Sequence, residues 1–175
     1  MQQNAEKLNA QAIELSSKGE YPEAIACFIS ALHIEKDNYL LWFNLGVTYR
    51  DSGNLRAAKK ALLTAYKLNQ EDQDVLDTLA LVCYAMGDMT EAFYYTEEAL
   101  SINPKNSHTW NNLGVLYFSQ EKYEDAAEAF EQAVSLFPNY YDALYNLRDT
   151  YEELGNTVGA NECNERMKAL PKGNH

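Results

Sequence analysis

The side chains that could do chemistry in these 175 residues fall into four groups. Asp74 and Asp77 stand three apart, which puts two carboxylates on one turn of a helix, and such a pair can divide general-acid and general-base work. No apolar, enclosing stretch accompanies them to raise one pKa, as acid catalysis requires. Cys27, Cys83 and Cys163 are odd in number, far apart and outside any CxxC pair, so they read as reduced, mostly buried thiols and not as a disulfide framework or a zinc site. His33, His108 and His175 are widely separated, and the chain contains no phosphate-binding glycine loop, HExxH or GxSxG. No enzyme activity, cofactor or metal is expected. The fourth group is carboxamides: Asn44, Asn112 and Asn146. An amide offers both donor and acceptor, so amides spaced along a surface can pair with the main chain of an extended peptide without demanding a side-chain sequence.

Composition bounds what could position these groups. A hydrophobic fraction of 46% is enough to bury a core. No window approaches eighteen consecutive apolar residues, and the opening MQQNAEKLNA has neither a basic start nor an apolar run. Neither a membrane span nor a signal peptide is therefore expected, and a cytoplasmic protein is the default. The net charge of -12 argues against nucleic acid and anionic membrane, because both need a basic footprint to displace counterions from phosphate. Neutral or basic protein partners are favoured.

The asparagines belong to a larger rhythm. WFNLGVTY at 42–49 recurs as WNNLGVLYF at 110–118, a spacing of 68, which is twice 34. Gly19, Gly53, Gly87 and Gly155 keep that beat with one gap, at Glu121, and Ala24, Ala58, Ala92, Ala126 and Ala160 keep it without a gap. Five units follow: 5–38, 39–72, 73–106, 107–140 and 141–172. Within the fourth, Trp110, Leu113, Gly114 and Tyr117 lie on one helical stripe, and Ala126, Phe130 and Ala133 on a second. The glycines between the stripes suit a left-handed helix end. Pro22 fits the first turn of a second helix, and Pro104 and Pro138 break the chain between units. Each unit is predicted to be a helix, a tight turn and an antiparallel helix, so the fold class is all-α.

This pattern resembles the tetratricopeptide repeat (TPR) family over residues 5 to 170, whose motif reads W-x2-L-G-x2-Y followed by Ala, Phe, Ala and Pro. The fourth unit supplies Trp110, Leu113, Gly114, Tyr117, Tyr123, Ala126, Phe130, Ala133 and Pro138. The second supplies Trp42, Leu45, Gly46, Tyr49, Gly53, Ala58 and Ala65, with Leu62 for Phe and Gln70 for Pro. In the first and third, Leu8 and Leu76 replace Trp, and Cys83 takes the Tyr position. The resemblance implies a right-handed α-solenoid of five helix-turn-helix repeats that serves as a non-catalytic protein–protein interaction module, an adaptor or scaffold. Small residues at Ala12, Gly46, Ala80 and Gly114 let paired helices approach to about 8–10 Å, and Trp42 and Trp110 are expected to be core residues. The fifth repeat departs: Arg148 stands at the small position, Asn164 replaces Phe and Met167 replaces Ala. With Asn161, Glu165 and Lys168 on its outer side, it is expected to cap the array.

In solenoids of this kind the first helices line a concave groove. Opposite the Trp110 stripe, a wheel at about 100° per residue places His108, Asn111, Asn112 and Val115. The equivalent positions are Leu40, Phe43, Asn44 and Val47; Asp74, Asp77, Thr78 and Leu81; and Asp142, Tyr145, Asn146 and Asp149, with Glu6, Asn9, Ala10 and Ile13 in the first repeat. Asn44, Asn112 and Asn146 look like the asparagine ladder by which several TPR proteins hold peptide main chain, and Phe43, Val47, Leu81, Val115 and Tyr145 would anchor ligand side chains. The clamp of Lys, Arg and Asn that grips chaperone EEVD-type tails is matched only at Asn44, so such tails are not expected partners. Asp74, Asp77, Asp142 and Asp149 favour a basic peptide. The second repeat runs against the chain's charge. Its Arg56, Lys59, Lys60 and Lys67 lie on a second helix, toward the convex side, and could meet an acidic region of a partner or of another copy. A self-assembling homo-oligomeric scaffold is the alternative function.

Overall fold

Asn4, Asn38, Asp72 and Asn106 recur every 34 residues, and each side chain accepts a hydrogen bond from a backbone N–H in the turn that follows: Glu6 at 2.9 Å, Leu40 at 3.1 Å, Val75 at 3.1 Å and His108 at 2.9 Å. Each therefore satisfies one of the otherwise orphaned donors at a helix start. The computed structural model describes residues 4–170. His175, the last two residues of the fifth repeat and the first three of the chain lie outside them.

The described residues form ten helices and no strand. The first helices of the repeats are α1 (Ala5–Ser17), α3 (Tyr39–Asp51), α5 (Gln73–Ala85), α7 (Ser107–Ser119) and α9 (Tyr141–Glu153). The second helices are α2 (Tyr21–Ile34), α4 (Leu55–Leu68), α6 (Met89–Ile102), α8 (Tyr123–Leu136) and α10 (Thr157–Ala169). Between the two helices of a repeat the chain reverses through one left-handed residue. Gly53 has φ 81° and Glu121 has φ 59°, so the position that breaks the glycine beat keeps the glycine conformation. Both turns close with the same backbone bond, from Asn54 N to Tyr49 O at 2.8 Å and from Lys122 N to Tyr117 O at 3.1 Å.

By contacts the chain divides into two compact halves, 1–92 and 93–175, with the boundary inside α6. In the N-terminal half Phe28 is fully buried in one cluster with Ala12, Leu32, Leu41 and Leu45. Gly46 faces Leu62: a Cβ there would meet Leu62 Cγ at 2.6 Å. In the C-terminal half Phe130, Ala133, Leu144, Leu147 and Met167 share a cluster. A Cβ on Gly114 would lie 2.5–2.8 Å from three atoms of the Phe130 ring.

Two expectations about single side chains need correcting. Trp42 and Trp110 are half-buried and not core residues. Each indole N–H donates to a carbonyl six residues earlier, Lys36 O and Pro104 O, both at 2.8 Å, which ties the preceding loop to the helix. Lys59 is not part of an open basic surface: its side chain is 18% exposed and pairs with Glu91 at 3.0 Å and Asp88 at 3.3 Å. That neighbourhood raises its pKa, with the Glu91 carboxylate the main cause.

Both special positions predict stability changes. Glu121→Gly relieves a left-handed strain of about 1–2 kcal/mol against an unfolded-chain entropy cost of about 0.4–1 kcal/mol. Its melting temperature should rise by a few degrees in a thermal scan. Gly114→Ala overpacks the site against Phe130 and should lose about 1–3 kcal/mol in denaturant unfolding.

Candidate functional site

The face predicted for recognition is the stripe of each first helix opposite Trp42, Leu45 and Tyr49. Its placement follows from helix periodicity, and its polar order from bonds between neighbouring repeats. Asn44 Nδ2 on α3 donates to Asn9 Oδ1 on α1 at 3.1 Å. Asn146 Nδ2 on α9 donates to Asn111 Oδ1 on α7 at 2.9 Å. In both halves, then, the sixth residue of one repeat binds the fifth residue of the repeat before it. Each donating amide keeps one N–H and its carbonyl oxygen for other partners, now held in a fixed orientation.

In the N-terminal half, Asn44 and Val47 line an open cleft of about 260 Å³ with Ile13, Ser16, Thr48 and Asp51. Ile13 is half exposed at its edge. Ser16 and Thr48 share a hydroxyl–hydroxyl contact of 3.3 Å, while Thr48 is anchored by donating to Asn44 O at 2.8 Å. Asp51 is paired with Arg50 at 2.8 Å. Along the same half, Leu40 and Asp74 are exposed, Phe43 and Asp77 are half-buried, and Leu81 is 39% exposed. Thr78, predicted to line the groove, is buried at 7%; its hydroxyl is turned onto Asp74 O at 2.7 Å, so it presents nothing to a ligand.

In the C-terminal half, His108 is exposed and its Nδ1 lies 2.9 Å from the Tyr140 hydroxyl, with the rings edge to face. Asn112 is half-buried, and Val115 packs against the core cluster. Tyr145 is 43% exposed under the Arg148 guanidinium, which sits 4.1 Å from its ring centre. Asn111 is buried at 7%, so it supports Asn146 and is not a contact residue. Asp149 is half-buried and accepts from Arg148 Nε at 2.9 Å, which removes it from the predicted acidic set; Asp142 stays exposed.

The opposite stripe of the first helices carries clefts that sequence reasoning missed. Trp42, Leu45 and Tyr49 form the wall of a cleft of about 510 Å³ with Ala57, Lys60, Ala61 and Thr64 of α4. Sixty-eight residues on, Trp110, Leu113 and Tyr117 do the same with Asp125, Glu128, Ala129 and Gln132 of α8, over about 680 Å³. The alanines on the second helix beside each indole, Ala57 and Ala61 in one cleft and Ala129 in the other, were the available signal, since they cannot fill the space next to the ring.

The thiols are poorly placed for nucleophilic work. Cys83 is fully buried, its Sγ 3.7 Å from Glu91 Oε2, and burial above all pushes its pKa up to about 11, so it stays protonated at neutral pH. Burial also raises the pKa of Cys163. Among the described residues no three His, Cys, Asp or Glu side chains converge to hold a metal ion, and no helix is long and apolar enough to cross a membrane.

Paired antiparallel helices repeating every 34 residues, with unfilled clefts on both stripes of the first helix, define an α-helical repeat protein built for protein–protein contact. The chain belongs to the tetratricopeptide repeat family, whose profiles match residues 9–55, 39–72 and 108–140. A profile of the protein prenyltransferase alpha subunit repeat matches 89–120. The chain is 29% identical over 129 residues to anaphase-promoting complex subunit cut9 of Schizosaccharomyces pombe, covering 70% of this chain and 19% of that protein. It is 30% identical over 110 residues to the peroxisomal targeting signal receptor of Saccharomyces cerevisiae, covering 63% and 18%. The chain thus spans about a fifth of the length of these relatives. A crystal structure of MamA superposes with a TM-score of 0.78 at 21% identity, covering 93% of this chain and 88% of that one.

Thiol accessibility gives a direct check on the burial that sets these pKa values. In the native protein at neutral pH, iodoacetamide should label the half-buried Cys27 and leave Cys83 and Cys163 unmodified until denaturant is added, as read by peptide mass spectrometry.

Proposed function

We propose that the outward stripe of the first helices holds an extended, neutral or basic segment of a partner protein, and that the chain is a cytoplasmic adaptor with no chemistry of its own. The observation that carries this is the cleft at Asn44, where an amide oriented by Asn9 stands beside the apolar Val47 and Ile13. An oriented amide can give and accept main-chain hydrogen bonds at little further entropic cost, and an apolar neighbour supplies an anchor for a ligand side chain. The Asn146 pair with exposed Tyr145 repeats the combination in the C-terminal half. Exposed Asp74 and Asp142 set the preference for positive charge, which acts on encounter more than on final affinity. The fifth repeat, 141–172, acts as the cap: Asn161, Glu165 and Lys168 are exposed, and Glu165 and Lys168 pair with each other at 2.8 Å.

The choice of variant matters. Asn146→Ala would strip the buried Asn111 Oδ1 of its donor and cost about 1–3 kcal/mol of stability, mixing folding with binding. Asn9 is partly exposed, so water can replace Asn44 there. On a peptide array, the wild type should capture Lys- and Arg-containing or neutral extended peptides, less strongly at high salt. An Asn44→Ala/Tyr145→Ala variant with an unchanged circular dichroism spectrum should bind them about tenfold more weakly. Equal binding by wild type and variant would reject the first-helix stripe as the site.

A further inference from the structure

We propose that the cleft beside Trp42 is a second docking site, taking an acidic segment with apolar anchors from a partner protein. Its floor is apolar and preformed: Leu32 and Leu45 are buried, and the Trp42 indole is fixed by its bond to Lys36 O. Ile29 lines the rim at 40% exposure. Such an open apolar space bordered by polar side chains is the form an anchor pocket takes.

Charge decides the occupant. The charged side chain lining this cleft is Lys60, His33 also lines it, and no carboxylate does. Arg56 and Lys67 are exposed one turn before and two turns after Lys60, on the same stripe of α4. Lys59 does not add to them, because Glu91 and Asp88 already neutralise it. In a chain of net charge -12, this is a local cationic stripe beside an apolar hollow. The equivalent cleft at Trp110 has the same aromatic wall but is lined by Asp125, Glu128 and Glu131. One packing frame therefore carries opposite charge at its two tryptophans, and an acidic ligand accepted at the first is repelled at the second.

The two indole N–H resonances, assigned with Trp42→Phe, report on the two clefts separately in nitrogen-15 NMR of the full chain. The probe is a short capped peptide of glutamates carrying two leucines one helical turn apart, with a control in which each glutamate is lysine. The acidic peptide should shift the Trp42 indole and leave Trp110 unmoved. Lys60→Glu, an exposed substitution, should weaken its binding about five- to tenfold, and Asn44→Ala should not. The lysine peptide should leave Trp42 unmoved. An unshifted Trp42, equal binding by Lys60→Glu, or a Trp42 shift with the lysine peptide would overturn the proposal. So would a wild-type mass that rises with concentration and falls on Lys60→Glu while the peptide has no effect, since the occupant would then be a second copy. Loss of binding in Asn44→Ala alone would place this peptide on the first-helix stripe and also overturn it.

Discussion

How closely the two helices of a repeat approach is set by the eighth residue of the first helix, and much else follows from that distance. At Gly46 and Gly114 the helices are close enough that a methyl group would overlap Leu62 or Phe130. A large side chain is thus seated directly on backbone. That contact fixes each helix in rotation as well as in distance, because turning either one would drive the large residue into a side chain instead of a bare Cα. Once the rotation is fixed, the stripe carrying Trp42, Leu45 and Tyr49 must meet the second helix, and the stripe carrying Phe43, Asn44 and Val47 must turn away from it. In the fifth repeat the sizes are exchanged, with Arg148 on the first helix and Asn164 on the second. The Arg148 side chain then lies over Tyr145 and pairs with Asp149.

With the backbone interface repeated, individuality comes from the side chains around it. The two tryptophan clefts show this most directly. The indoles make the same hydrogen bond to a carbonyl six residues back, and Ala57, Lys60, Ala61 and Thr64 of α4 have Asp125, Glu128, Ala129 and Gln132 as their counterparts on α8, yet one rim carries Lys60 and the other Asp125 and Glu128, with Glu131 beside them. The scaffold repeats the cleft, and a few charged residues give each copy its own sign of charge.

Helix ends, turns and most of the core were legible in the sequence because their causes are local. A left-handed residue between two stripes and a small-against-large pair can each be read from spacing alone, and the capping Asn or Asp every 34 residues, which the glycine and alanine beats did not single out, has an equally local cause. Glu121 was legible for the same reason, since the beat dictates its backbone whatever its side chain. The outward stripe was less legible, because a wheel treats one helix in isolation. Thr78 lies at the angle the wheel gives it but closes on its own backbone, and Asn111 is covered because the next repeat's Asn146 reaches back to it. Lys59 is drawn in by two carboxylates about thirty residues further along, which no pattern within its own helix predicts.

The asparagine pairs join the packing to the chemistry. A lone surface amide rotates freely and exchanges bonds with water, so ordering it for a ligand offsets much of what the new bonds contribute. An amide already committed to the preceding repeat has lost that freedom during folding, and its remaining donor and acceptor are held in one direction. The bond from the sixth residue of one repeat to the fifth of the one before depends on the spacing between neighbouring first helices, which the small-against-large contacts help to maintain. A change at Gly46 or Gly114 would therefore alter the angle of the Asn44 or Asn146 amide as well as the stability of the repeat.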